Sequence, residues 1–341
     1  MSVDPSSTLR EPLVWVLRDE RPGTGNQALG VAEALERPYV IKDLRYSPIG
    51  RLPNLLLGSS LRSLTANSRT GISPPWPDVV ISAGRRAASV ACYIKRVSGG
   101  RSFVCHLMYP GPLQSAPLDL VAVPAHDKVA GPNVIAVTGA PHRVNKTRLA
   151  DARETWRHPW KHIPRPFLGV LVGGESRRMP FNDTDAERLA SQISDWYADS
   201  DGSVLITTSR RTGAAAAKLL KHLRNNGPEP AVYHSWETVD ENPYMGILAV
   251  ADTLVVTGDS VSMLSEACAA PGSVYIYRSP KFASPKHLRF HDSLFRMGAA
   301  RLSTEIVPGE VSKAINPAGD IARMIRKKLA WRRNSSWHRQ P

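Results

Sequence analysis

The sequence predicts an α/β protein made of two consecutive Rossmann-like halves, each a doubly wound parallel sheet, facing one another across a cleft. Three observations carry this. Short β-branched apolar runs alternate with segments of helical spacing, the βαβ pattern of a parallel sheet. The pattern stops in a stretch rich in Pro, Trp, His and Arg at residues 140–166 and then restarts. Polar, glycine-rich turns follow the apolar runs, and open α/β sheets bind ligands there, outside the carboxyl ends of their strands. At 341 residues the chain also suits two domains.

The elements follow in order. Residues 13–17, LVWVL, read as the first strand, and residues 18–26 as a loop. A helix then runs to about Glu36, with Ala28, Leu29, Ala32 and Leu35 on one face. Residues 39–44 form a second strand. Residues 47–77 are rich in Pro, Ser and Gly, with one short helix over 55–64. A strand at 78–82 enters Ala83-Gly84-Arg85-Arg86 and a helix to Val97, and strands at 103–107, 118–123 and 134–138 complete the first half.

The second half opens with a strand at 167–172 that ends in Gly173-Gly174-Glu175-Ser176. Thr184 and Glu187 have the spacing of a capping box, ahead of a helix with Ala186, Leu189, Ala190, Ile193, Trp196 and Tyr197 on its apolar face. A strand at 204–207 leads into Thr208-Ser209-Arg210-Arg211-Thr212-Gly213 and an Ala-rich helix to about Leu223. A short strand at 231–233 and a helix at 244–250 precede the stretch ADTLVVTGDSVSMLSEACAA, residues 251–270. It reads as a buried strand, a turn at Gly258-Asp259-Ser260, and a helix with Val261, Leu264, Ala267 and Cys268 at helical spacing. A strand at 273–277 and helices at 286–297 and 318–331 close the chain. The expected division is a first domain at 1–150, a linker at 151–165, a second domain at 166–312, and a C-terminal helix with a basic tail at 313–341.

Composition narrows the function classes. The apolar share of 42% is that of a protein with ordinary cores, and no apolar run reaches the ~18 residues of a membrane span. The N-terminal residues have no apolar signal region. Cys92, Cys105 and Cys268 lie in apolar segments without metal spacing, so reduced core thiols of a cytoplasmic protein are expected. The histidines are dispersed, and no metal site is expected. The net charge is +14, and no acidic residue follows Asp320. The tail carries Arg323, Arg326, Lys327, Lys328, Arg332, Arg333 and Arg339, with Trp331 and Trp337 between them. That composition suits an anionic membrane surface. Nucleic acid is not expected, because no recognition motif occurs.

The polar residues at the strand ends are the candidate site. Gly173 and Gly174 bring backbone amides close to a phosphate. Ser209, Arg210 and Arg211 offer a hydroxyl and two guanidinium forks for phosphate oxygens. Gly258, Asp259, Ser260, Ser262 and Met263 surround a helix start, and Glu266 lies one to two turns further on, where a carboxylate takes a ribose. In the first half, Arg21, Gly23, Gly25 and Asn26 read as a phosphate or acceptor loop, Arg85 and Arg86 open a helix, and His142 follows a strand. His126 or Asp127, also after a strand, supplies a general base. No Walker loop occurs.

Seven stretches add up to a family. Residues 19–35 (DERPGTGNQALGVAEAL), 77–86 (PDVVISAGRR), 123–127 (VPAHD), 131–144 (GPNVIAVTGAPHRV), 207–212 (TTSRRT), 241–252 (ENPYMGILAVAD) and 256–267 (VTGDSVSMLSEA) resemble the plant "elongated mitochondria" fission-factor family and its bacterial relatives. The GxGxxG opening of nucleoside-diphosphate-sugar epimerases, a label relatives have also carried, is absent. The resemblance implies a fold similar to GT-B glycosyltransferases, whose second domain holds the nucleotide-sugar and whose first holds the acceptor. It is similar in type to the lipid-linked GlcNAc transferases that work at the inner membrane surface.

The expected function is therefore a metal-independent, nucleotide-sugar-dependent glycosyl transfer with no cofactor beyond its substrate. The expected partners are the nucleotide-sugar and a lipid-linked acceptor or anionic membrane surface. The alternative is a non-catalytic, membrane-associated adaptor of the same family.

Overall fold

The computed structural model describes residues 11–174, 181–279, 284–304, 306–307 and 312–337, the last seven by backbone alone. Glu175 and Ser176 of the expected loop, the side chains of Trp331, Arg332, Arg333 and Trp337, and Arg339 lie outside these residues. The chain divides into two compact units. One takes the described residues up to Val123, Val129–Val137 and those from Ala318 onward, and the other takes Pro124–Lys128 and Thr138–Pro317.

The first unit runs β1 (Val14–Asp19), α1 (Pro22–Ala34), β2 (Tyr39–Leu44), α2 (Asn54–Leu57), α3 (Ala66–Thr70), β3 (Val79–Ala83), α4 (Arg85–Val97), β4 (Phe103–Leu107), α5 (Pro112–Ser115), β5 (Leu120–Pro124) and β6 (Val134–Val137). Its six strands are ordered β2-β1-β3-β4-β5-β6. β3 and β4 are buried along their whole length, which is why they read as unbroken apolar runs. The order reverses direction between β1 and β3, so the loops after those two strands flank the switch point of this sheet.

The second unit contains α6 (Lys146–Arg157), β7 (Phe167–Val172), α7 (Asp183–Ser200), β8 (Ser203–Thr208), α8 (Ala215–Asn226), β9 (Val232–His234), α9 (Tyr244–Val250), β10 (Thr253–Thr257), α10 (Val261–Ala267), β11 (Ser273–Tyr277), α11 (Pro285–Met297) and β12 (Arg301–Leu302). Its strand order is β12-β11-β10-β7-β8-β9, with β7 and β10 paired in parallel at the switch point. Leu168, Val170, Leu254, Val255 and Val256 of these two strands are fully buried, and the loops that follow them start from a rigid base.

Four differences from the sequence reading have physical causes. α1 begins at Pro22, where proline suits the first helical turn, so Gly23, Gly25 and Asn26 are helical rather than in a loop. The expected linker holds α6, capped by the Asn145 side chain, which accepts the Arg148 amide at 2.9 Å. Its apolar face is narrow, and it is anchored by Leu149 and Trp156, the latter against Gly246 of α9 where any larger residue would collide with the indole. The capping box of α7 is made by Asn182 and Asp185, not by Thr184 and Glu187. The last helix, α12 (Pro317–Trp337), belongs to the first unit. Ala318, Ile321, Ala322 and Ile325, at helical spacing, are buried in the same core as Val14, Val16 and Leu29.

Candidate functional site

Three loops converge at the switch point of the second sheet. The loop after β7 supplies Gly173 and Gly174, the loop after β8 supplies residues 209–212, and the loop after β10 supplies residues 258–260. The Gly173 amide donates to Thr257 Oγ1 at 2.7 Å, and the Gly174 amide donates to the Asp259 carboxylate at 2.8 Å. Thr257 Oγ1 in turn donates to Asp259 at 2.7 Å. The Thr212 hydroxyl bonds the Gly173 carbonyl and also accepts the Ser209 amide at 2.8 Å. Arg211 Nη2 reaches Asp259 at 3.5 Å.

Both glycines are required by this crowding. A Cβ at Gly173 would run into the Asp259 carboxylate, and one at Gly174 into the Arg211 backbone. The two amides expected to meet a phosphate are thus taken by side chains of the same cluster. Asp259 acts as the clamp of the three loops. Burial is the largest influence on its carboxyl group and raises its pKa, against the lowering effect of the Gly174 amide, the Thr257 hydroxyl and Arg211.

Ser260 caps α10 by accepting the Met263 amide at 3.4 Å. Ser262 is exposed and Met263 is half-buried against the core. Glu266 accepts the Tyr244 hydroxyl, and burial raises its pKa. The Gly258 carbonyl accepts from His291 of α11, so His291 Nε2 carries the hydrogen of this 2.8 Å bond; burial lowers the pKa of the ring to about 4 and keeps it neutral near pH 7. Arg210 and the Arg211 side chain remain at the surface.

α11 brings His126 and Asp127 into the same unit. Lys286 Nζ lies 2.5 Å from Asp127 Oδ1. The His126 ring packs on Phe290 with centroids 5.2 Å apart, and Arg289 Nε donates to the His126 carbonyl at 3.2 Å. Burial lowers the His126 pKa to about 4, so the ring is neutral near pH 7. His287, next along α11, has its pKa lowered by burial, partly opposed by the charge of Asp259. Arg211 and His287 lie within charge reach of the buried Asp259, and Lys286 is paired with Asp127. Thr257, Tyr244, Lys286 and His287 were not singled out from the sequence. The paired histidines His287 and His291, four apart on a helix, were the one signal available for α11.

The first-unit candidates meet one another. Arg86 Nη2 lies 2.7 Å from Asp19 and Nη1 lies 2.8 Å from Glu20, and the guanidinium stacks on Tyr46 at 4.1 Å. Asp19 also accepts the Arg21 amide at 2.9 Å. Arg85 donates to the carbonyls of Leu52 and Gly50 at 2.6 and 3.0 Å. Both arginines therefore hold protein groups. Gly25 packs against Arg18 and the Asp19 carbonyl, and Gly23 and Asn26 are exposed on the first turn of α1. His142, expected on the first half, lies buried in the second unit, with its pKa lowered by burial to about 4.

A cavity of about 570 Å³ opens at the opposite end of the second sheet, between α6 and the starts of β7 and β10. It lies at amino ends of strands and is not part of the loop cluster. Among the described residues no three His, Cys, Asp or Glu side chains gather as a metal site, and no helix is long and apolar enough to cross a membrane.

Two Rossmann-type units of six parallel strands, with a clamped loop cluster at the switch point of the second, define a GT-B-like α/β protein. The chain belongs to the mitochondrial fission ELM1 family, whose model, described as "Mitochondrial fission ELM1", matches residues 22–329. It is 28% identical over 353 residues to an uncharacterized protein, RP120, of Rickettsia prowazekii, covering 93% of this chain and 98% of that one. It is 28% identical over 303 residues to the mitochondrial fission protein ELM1 of Arabidopsis thaliana, covering 81% of this chain and 70% of the relative. In fold it is similar to UDP-GlcNAc 2-epimerase from Methanocaldococcus jannaschii, with TM-score 0.57, 14% identity, and 94% and 99% of the two chains covered. A structure of that enzyme in complex with UDP-GlcNAc and UDP gives TM-score 0.51 at 15% identity, again with 94% and 99% covered. At this identity the likeness shows the fold, and function rests on the site.

Proposed function

We propose that the second unit binds a nucleoside-diphosphate sugar and that the chain transfers the sugar without a metal. The observation that carries this reading is the convergence of the loops after β7, β8 and β10 at a topological switch point, with Arg210 and Arg211 exposed on the loop after β8. The UDP complex of the similarly folded epimerase adds support by analogy of fold.

In this reading Arg210 and Arg211 take the diphosphate oxygens. Ser209, Ser260 and Ser262 add hydroxyls, and Gly258 and Met263 shape the wall. Glu266 exchanges the Tyr244 hydroxyl for a ribose hydroxyl. Arg211 exchanges Asp259 for phosphate. The acceptor hydroxyl oxygen attacks the anomeric carbon while the bond from that carbon to the diphosphate oxygen breaks. The leaving diphosphate keeps the electron pair, and the guanidiniums stabilise it. Asp127 takes the acceptor proton, because its carboxylate reaches solvent while the neutral His126 ring is buried behind it.

One observation favours the second reading, a non-catalytic adaptor. The Gly173 and Gly174 amides and the Glu266 carboxylate already have protein partners. Such internal satisfaction suits a site that holds its shape without a ligand.

A thermal-shift screen against UDP, GDP, CMP, ADP and their common sugars separates the two. A ligand at a hundredfold excess over its Kd stabilises by about 2.7 kcal/mol, so a shift selective for one base supports the transferase reading. No shift with any of them supports the adaptor.

A further inference from the structure

The first unit presents an inverted surface on two single-turn helices. In α2, Leu57 is buried, whereas Leu55 and Leu56 are 71% and 66% exposed. In α5, Gln114 and Ser115 are buried while Leu113 is 69% exposed. Hydrogen bonds join the two turns: Gln114 Nε2 donates to the Asn54 carbonyl at 2.8 Å, and Asn54 Nδ2 donates to the Pro110 carbonyl at 3.1 Å. Ile49, Leu52 and Tyr109, close by in the chain, are exposed as well. Single exposed leucines are ordinary, but a set of them backed by buried polar side chains is an apolar surface turned outward.

The charge around it is one-sided. No Asp or Glu occurs between Asp43 and Asp78, whereas Arg45, Arg51, Arg62 and Arg69 fall in that interval. Arg85 holds the carbonyls of Gly50 and Leu52, and Arg96 holds the carbonyl of Ser59 at 3.1 Å, so two more guanidiniums flank α2. Arg51, Arg85 and Arg96 are all exposed. A bilayer interface with anionic lipids matches both features: acyl chains take the leucines, and phosphates at headgroup depth take the guanidiniums. A second copy of the same basic surface would set arginine against arginine.

We propose that Leu52, Leu55, Leu56 and Leu113, flanked by Arg51 and Arg96, insert shallowly into the interface of an anionic lipid bilayer. The contact is peripheral. It belongs to the first unit, is separate from the loop cluster, and does not depend on the nucleotide reading. It also takes the membrane contact away from the C-terminal tail.

The test is co-sedimentation of the full-length chain with vesicles of phosphatidylcholine alone or mixed with phosphatidylglycerol. The parent protein is expected to sediment with the anionic vesicles and to release them as salt is raised. L55S/L56S/L113S is expected to bind about tenfold or more weakly, with its circular dichroism and Tm unchanged because these side chains are exposed. L55A/L56A/L113A is read beside it, so that loss of folding and loss of binding are told apart. R51Q/R62Q is expected to bind more weakly with a shallower salt dependence, and R332Q/R333Q to retain most binding. The proposal is overturned if the parent ignores anionic vesicles, or if both leucine variants bind as the parent does. It is also overturned if light scattering shows the leucine substitutions dissociating a dimer, which would make a second copy the occupant.

Discussion

The Asp259 carboxylate accepts the Gly174 amide at 2.8 Å, tying the loop after β10 to the loop after β7. The shape of the candidate site hangs on this bond. Asp259→Ala leaves the Gly174 amide and the Thr257 hydroxyl without their acceptor in a buried place, at a cost of about 1–3 kcal/mol for each group. Gly174→Ala drives a Cβ into the Arg211 backbone and is expected to destabilise at least as much. Urea unfolding of both variants checks this, and midpoints equal to the parent's would show that the loops are held by something else.

Glu266 is the clearest case of a group kept against stability. Burial raises its pKa above the ordinary carboxylate value, so the folded chain holds that proton more tightly than the unfolded chain does. Its contribution to stability therefore rises as pH falls through the raised pKa and is lowest above it. Glu266→Gln keeps an acceptor for the Tyr244 hydroxyl and removes the buried charge. It is expected to melt higher than the parent at pH 8, with the advantage shrinking as the pH is lowered. A variant less stable than the parent at pH 8 would contradict this.

The buried histidines work in the other sense. Burial pushes His106 down to about 3 and both His142 and His291 to about 4. In the unfolded chain they titrate near 6.5. Between pH 6.5 and about 4 the unfolded chain binds more protons, so their contribution to stability is complete above that window and is lost as pH falls through it. Each histidine accounts for up to about 1.4 kcal/mol per pH unit. Denaturant midpoints measured from pH 7.5 to 4.5 are expected to fall steeply below 6.5. His291→Gln is expected to be less stable at pH 7.5 and to show a shallower fall. A flat profile from 6.5 to 5 would count against neutral buried rings.

Asp19 and Arg86 carry the corresponding role in the first unit. Asp19→Ala leaves the half-buried Arg86 guanidinium with Glu20 alone and the Arg21 amide without an acceptor, and is expected to cost about 3 kcal/mol. Because Arg86 holds protein groups, the variant is expected to bind nucleotides as the parent does. A lost thermal shift at unchanged stability would instead make Arg86 a ligand-binding residue.

The strands were the most legible part of the sequence. Runs such as 79–83, 253–257 and 273–277 are buried on both faces, and that burial is written directly as β-branched apolar residues. The positions of the loops at strand ends followed from the same pattern. What the side chains do there did not. Nothing in a linear sequence says that Asp259 will reach back to Gly174, or that Arg86 will close on Asp19, because each partner is set by strand order. α6 was hidden because its apolar contact is only the half-buried Leu149 and Trp156 in a polar segment. α12 was read as a helix, but its face of Ala318, Ile321, Ala322 and Ile325 carries no mark of which core it joins.

The central claim is that the second unit holds a nucleoside diphosphate on Arg210 and Arg211. Calorimetric titration of the full chain with the nucleotide that gives the largest thermal shift, repeated on Arg210→Ala/Arg211→Ala, tests it most directly. Saturable binding by the parent and at least a tenfold loss in the double variant are expected, with the variant still folded by circular dichroism. Equal affinity in the two proteins, or no heat from the parent with any nucleotide, would contradict it.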